Sequence, residues 1–276
     1  AVMQAMDLAL RGGSYLTIGY RSFGRHYYAA VQSPWSRWSQ PSGEEGLYVG
    51  IQASPHADVT LLASANLYKN RWLTYKCQSP SSGHKFRINL SYTPVKWNEI
   101  TLRVRMDGNE VTSAAANHRL QQEKRVSYKL QYQSSPVDWV RFKGGIEIIH
   151  YRKEREASSD GVWLSQEIKI SFDKLCKMRA TLYMAHFDTD DYNSRVYAYM
   201  PDVLYTMSTP MFSGRGVVAM GQISLNPHPD LSLALRIKHV RYLDRDKIGT
   251  GNEEVDGSRK SEVKLQLRYK LFHRFG

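Results

Sequence analysis

From Lys260 to Phe272 the chain reads KSEVKLQLRYKLF, with Val263, Leu265, Leu267, Tyr269 and Leu271 alternating with Lys264, Gln266, Arg268 and Lys270. Successive side chains on a strand point to opposite faces, so the segment predicts a strand with one apolar and one cationic face. The same alternation predicts strands over Met3–Leu10, Tyr15–Arg21, Gly46–Ser54, Val59–Tyr68, Lys85–Tyr92 and Glu99–Asp107. It continues through Val126–Gln133, Trp139–Arg152, Val162–Phe172, Met178–Asp188, Gly216–Asn226 and Leu231–Tyr242. Strands of this pattern number twelve or thirteen.

The connections alternate in length. Arg11–Ser14, Pro55–Asp58, Pro94–Asn98, Ser134–Asp138, Asp173–Lys177 and Pro227–Asp230 are short turns. The stretches Ser22–Glu45 (with Pro34, Trp35, Trp38 and Pro41), Asn70–His84, Thr189–Arg215 and the run reaching Gly257 are long loops. A tilted strand of about 9–11 residues crosses the hydrocarbon core of a bilayer. Apolar outer faces with short turns at one end and long loops at the other predict an antiparallel transmembrane β-barrel of about 12–14 strands. In a bacterial outer membrane the short turns are periplasmic and the long loops external. A soluble sandwich lacks this strict alternation of connection length. Nothing marks a domain boundary, a helical period or a 20–50-residue repeat, so a single barrel domain over residues 1–276 is expected.

Composition fits a barrel without requiring one. Mean hydropathy is −0.50, and no run approaches the roughly 18 apolar residues of a spanning helix, as expected where every second strand residue is polar. Eighteen Tyr, six Trp and eight Phe suit strands and interfacial girdles. Phe86, Tyr92, Trp97, Tyr128, Tyr132, Trp139, Phe172, Tyr269 and Phe272 fall near predicted strand ends. The chain begins at Ala1 without a secretory signal, which for an exported protein implies a mature or trimmed piece. Cys77 in a long loop and Cys176 in a turn at the opposite end are too distant to bridge.

Charge adds the chemistry. The formal net charge is +12. Alternation sends Arg87, Arg103, Arg105, Lys129, Arg141, Lys143, Arg236, Lys238, Lys264, Arg268 and Lys270, with Lys169 and Arg179, to the lumen. Glu99, Asp107, Glu147, Glu167 and Glu262 oppose them. Two readings follow: a narrow or plugged barrel whose interior ions pair across strands, or a pore favouring anions, as rings of Arg and Lys do. The excess of cations supports the second.

Direct DNA binding is disfavoured, because alternation separates the aromatics from the cations and leaves no stacking groove. Asp244–Glu254 departs from a calcium loop at Ile248 and Val255. The acids there and at His186–Asp191 are expected to be solvated. No His-Glu-x-x-His or Gly-x-Ser-x-Gly occurs. No catalytic residue, metal or cofactor is therefore expected, and the chain is not expected to be an enzyme.

Gly19-Tyr20-Arg21, Glu45-Gly46-Leu47-Tyr48, Pro210–Gly216 and Tyr242–Leu271 give the chain a family likeness. It resembles the C-terminal barrel of Bacteroidota outer-membrane proteins that carry helix-hairpin-helix repeats ahead of the barrel. The resemblance implies an outer-membrane barrel; the helix-hairpin-helix part is not in this sequence, so no DNA role falls on its residues. The expected function is a porin-like channel or a transport or uptake component, with outer-membrane lipid and an anionic solute or polyanion as partners. The alternative is a non-conducting barrel that anchors or binds a protein partner through its long loops.

Overall fold

The computed structural model describes residues 1–28, 36, 42–112, 119–172, 177–206, 209–249, 251 and 254–270. Several sequence expectations concern residues outside these: Pro34, Trp35, Trp38, Pro41, Cys176, most of the turn Asp173–Lys177, Leu271 and Phe272.

The strands are β1 (Val2–Ala9), β2 (Tyr15–Ser22), β3 (Glu44–His56), β4 (Val59–Asn70), β5 (Ser81–Val95), β6 (Asn98–Thr112), β7 (Leu120–Val137), β8 (Val140–Lys153), β9 (Ser159–Phe172) and β10 (Met178–Thr189). After the two-residue strands β11 (Val196–Tyr197) and β12 (Met211–Phe212) come β13 (Arg215–His228) and β14 (Leu231–Tyr242). The short β15 (Lys247–Ile248) and β16 (Val255–Asp256) precede β17 (Arg259–Tyr269). Thirteen strands form one sheet in the order β1 to β10, then β13, β14 and β17. This all-β antiparallel arrangement is the strand plan of a transmembrane β-barrel, as the alternation predicts.

Several strands outrun the prediction. β5 and β6 have 15 residues each and β7 has 18. Apolar alternation is required only where a strand meets an apolar environment, whereas ladder hydrogen bonds continue as long as backbone pairs. The polar ends were therefore invisible to a reading of hydrophobicity.

Two hairpins share a turn chemistry. Pro55 and Pro227 lack an N–H, and the pairing register shifts there, between Ala53 and His56 and between Leu225 and His228. In each turn His Nδ1 accepts from an Asp backbone N–H at 3.3 Å, Asp58 for His56 and Asp230 for His228.

The chain separates into two compact units. The first comprises Ala1–Val95, Ile100–Leu130 and Ile149–Ser159. Its apolar face leaves Leu47, Ile51, Leu67, Phe86, Ile88 and Tyr128 exposed. Its opposite face buries Arg21, Glu44, Tyr68, Asn70 and Ser81. Arg21 Nε donates to Glu44 Oε1 at 2.7 Å. Gly46 lies against this guanidinium: a Cβ there would stand 2.4 Å from Arg21 Cζ. The connection after β4 folds back through a Thr74–Cys77 bridge, and Gln78 N donates to Thr112 Oγ1 at 2.9 Å. Cys77 is buried and free.

The second unit comprises Lys96–Glu99, Gln131–Ile148 and Asp160–Gly276. Its apolar face exposes Leu164, Leu182, Met184, Leu235, Ile237, Leu265 and Leu267. Register keeps that face continuous, with Leu235 opposite Leu265 and Ile237 opposite Val263. Trp97 and Trp139, beside short turns, are 50% and 55% exposed, as girdle residues would be. The other face carries the candidate site.

Candidate functional site

Alternation along β9, β10, β13, β14 and β17 puts Lys169, Arg179, Gln222, Arg236, Lys238, Lys264, Gln266 and Arg268 on the face opposite the lipid-like one. Register sharpens the problem this creates: Arg236 stands directly across from Lys264, and like charges in that position repel. Two carboxylates resolve it. Glu262 Oε1 accepts from Arg236 Nη1 at 2.7 Å, and its Oε2 accepts from Lys238 Nζ at 2.9 Å. Asp202 Oδ2 accepts from Lys264 Nζ at 2.8 Å, with Asp202 Oδ1 3.6 Å from Arg236 Nε.

Asp202 belongs to the long connection after β10, for which the sequence predicts an external loop. That segment instead packs on the sheet face. Val196, Met200, Val203 and Phe212 are buried. Phe212 lies 4.9 Å from Trp163 and 5.1 Å from Phe187 between ring centroids, and Phe187 meets Tyr242 edge-on at 5.6 Å. Gly161 leaves room for it, since a Cβ there would come within 2.5 Å of Ser194 O. Polar bonds complete the seat. Arg236 Nε donates to Pro201 O at 2.9 Å. Leu204 N donates to Gln266 Oε1 at 3.2 Å, and Gln266 Nε2 returns a bond to Leu204 O at 2.7 Å.

Toward the short-turn end this packing gives way to open space. A cavity of about 290 Å³ is bordered by Lys169, Arg179, Thr181, Gln222, Ser224, Asn226, Ser232 and Arg268, with Tyr199, Pro201, Asp202 and Leu204 supplied by the folded-in segment. A second, of about 410 Å³, shares Lys169 and Arg179 and adds Ser135, Asp138, Trp139, Arg141 and Ser171. Arg268 Nη2 donates to Ser232 Oγ at 3.1 Å. Among the described residues, no carboxylate lies within ion-pair distance of Arg141, Lys169, Arg179 or Arg268.

The remaining predicted lumen cations are dispersed. In the first unit Arg87 Nη2 pairs with Asp107 Oδ1 at 3.0 Å, and Arg103 Nε reaches Asn89 Oδ1 at 3.4 Å. Arg105 and Lys129 also have polar partners. In the second unit Lys143 is half-buried and Lys270 is exposed, its backbone N donating to Asp230 O at 2.9 Å. Sequence reasoning thus reached the strand cations and Glu262 but missed Asp202. A signal was present: Val196–Tyr205, VYAYMPDVLY, is far more apolar than an exposed connection requires.

The acidic loops bind backbone and cations. Asp191 Oδ1 accepts from Asn193 N at 2.7 Å, and Asp190 Oδ2 from Asp160 N at 2.8 Å. Asp244 Oδ2 accepts from Arg245 Nη2 at 2.8 Å. These Arg245 bonds hold the Asp244 carboxyl below its usual pKa, against the opposing effect of partial burial. No group of metal-ligating side chains occurs among the described residues.

No protein-family model matches the chain, and no curated protein sequence does. Among solved structures it is similar to LpxR from Salmonella typhimurium, at 8% identity over 82% of this chain and 88% of that one, with a TM-score of 0.29. The expectation that the chain is not an enzyme is corrected on this finding, because LpxR is an enzyme. A likeness at this level assigns no catalytic residue here.

Proposed function

We propose that the chain is a bacterial outer-membrane β-barrel protein whose cationic interior takes up or passes a small anionic solute. Membrane residence is supported by the apolar face. Leu182, Met184, Leu164, Leu265 and Leu267 are more than half exposed, and a soluble monomer rarely leaves so much contiguous apolar surface in water. On this reading that face meets outer-membrane lipid, and the opposite face lines the interior.

One observation carries the anion reading. Arg141, Lys169, Arg179 and Arg268 border open space without a carboxylate partner among the described residues, and uncompensated cations in a confined site attract anions. Residues 196–206 and 209–212, folded onto the same face, narrow the space beside these cations. The test is single-channel recording of the refolded chain in a planar bilayer under a salt gradient. Small anion-selective steps are expected, and R141Q/R268Q is expected to reduce the selectivity. A cation-selective reversal potential would refute the reading.

A second reading is favoured by the long connection after β4, where Tyr75 is 99% exposed. A non-conducting barrel could bind a protein partner through this connection. Stable insertion without any conductance would select it.

A further inference from the structure

We infer that the cavity bordered by Lys169, Arg179 and Arg268 is a discrete binding site for the phosphomonoester of a small, hydroxylated molecule. The inference rests on the anion-accepting interior proposed above and names its ligand class.

Charge comes first. Asp202 reaches this cavity already committed to Lys264 and Arg236. Asp138 borders only the adjoining space. Across the two spaces Arg141, Lys169, Arg179 and Arg268 therefore outnumber the one carboxylate left to them, and a ligand carrying two negative charges matches that surplus better than a monoanion. Geometry agrees. Lys169 lies opposite Thr181 and Arg179 opposite Ser171 on paired strands, so the two cations are diagonal neighbours on one face. They can grip one tetrahedral anion from two sides, the guanidinium with its fork of donors and the ammonium as a point charge.

The rest of the wall sets hydroxyls and amides (Thr181, Gln222, Ser224, Asn226, Ser232) beside the apolar surface of Tyr199, Pro201, Leu204, Leu233 and Ala234. Such a mixed lining suits a body with alcohols at its edges and C–H faces between them. At about 290 Å³, with the adjoining 410 Å³ sharing both cations, the space suits a monosaccharide-sized body.

Calorimetric titration of the full chain in detergent micelles, at about 0.15 M salt to screen loose surface attraction, tests the site with defined probes. Glucose 6-phosphate is expected to bind saturably and to be displaced by inorganic phosphate, while gluconate and glucose bind at least about tenfold more weakly. K169Q/R179Q is expected to weaken glucose 6-phosphate binding by about tenfold or more, about 1.4 kcal/mol, whereas R71Q, at an arginine of the first unit whose Nε donates to Glu45 Oε2 at 2.9 Å, leaves it unchanged. Equal binding of gluconate, or an unchanged affinity in K169Q/R179Q, would overturn the site. A readout without substitution guards against misfolding. Saturating glucose 6-phosphate is expected to protect Lys169, but not exposed Lys260, from amine acylation mapped by mass spectrometry; equal labelling of Lys169 with and without it refutes the proposal. The two readings fail separately. Anion-selective conductance without this binding removes the site alone, and saturable binding without conductance removes passage alone.

Discussion

Each unit buries an arginine completely, and the two solve the resulting problem differently. In the first, Arg21 relies on Glu44 from the neighbouring strand, both about 1% exposed; neither Nη finds an aligned acceptor, and Ser36 Oγ donates to the other carboxylate oxygen at 3.1 Å. In the second, Arg236 is shared among Glu262, Asp202 and the Pro201 carbonyl, and the same carboxylates serve Lys238 and Lys264. A private ion pair, one guanidinium to one carboxylate, makes the buried arginine depend on a single counter-charge. A shared network distributes that dependence and ties it to a segment far away in sequence.

The largest expected effect tests the private pair. Glu44→Ala strands a buried guanidinium and should cost about 3–5 kcal/mol, measured as a lower urea midpoint in lipid vesicles. Asp202→Asn should cost less, about 1–3 kcal/mol, because Glu262 still serves both of its cations, Arg236 and Lys264. It should also expose residues 196–206 to protease added to vesicles. If Asp202→Asn proved the costlier change, the contrast between private and shared pairing would be lost. Gly46→Ala, which pushes a methyl into the fixed Arg21 guanidinium, should cost about 1–3 kcal/mol; the corresponding addition at Gly221, whose nearest neighbour would lie 3.9 Å away, should be close to neutral.

The smallest effect lies outside the strands. Asp244 has a depressed folded pKa, so its contribution is present above the ordinary carboxylate pKa and fades as pH falls through the folded value. Arg245→Gln should raise the carboxyl pKa of Asp244 toward its usual value, followed by carbon NMR titration. An unmoved titration would detach Arg245 from that shift.

What could be read in advance follows the same division. Leu265, Leu267 and Val263 alternate with Lys264, Gln266 and Arg268, so strand, face and charge were legible from period two alone. The polar ends of β5 to β7 were not, because ladder bonds leave no mark in side-chain hydrophobicity. Nor was the partner of Lys264. Asp202 is 62 residues away, and only the folding of residues 196–206 onto the sheet brings it there. Local pattern encodes which face a residue takes; it does not encode which loop arrives on that face.

The seat of that segment has a consequence for the order of assembly. Its aromatic contacts, Trp163 and Phe187, precede it in the chain, but Arg236, Lys264 and Gln266 follow it and come with β14 and β17. A chain adding strands from its N-terminus can therefore collapse the segment's apolar side early, yet has nothing to close its polar side until the last strand is in place. Completion of β17 is thus the event that finishes the segment's seat, and a chain stopped before it would leave the segment half-docked.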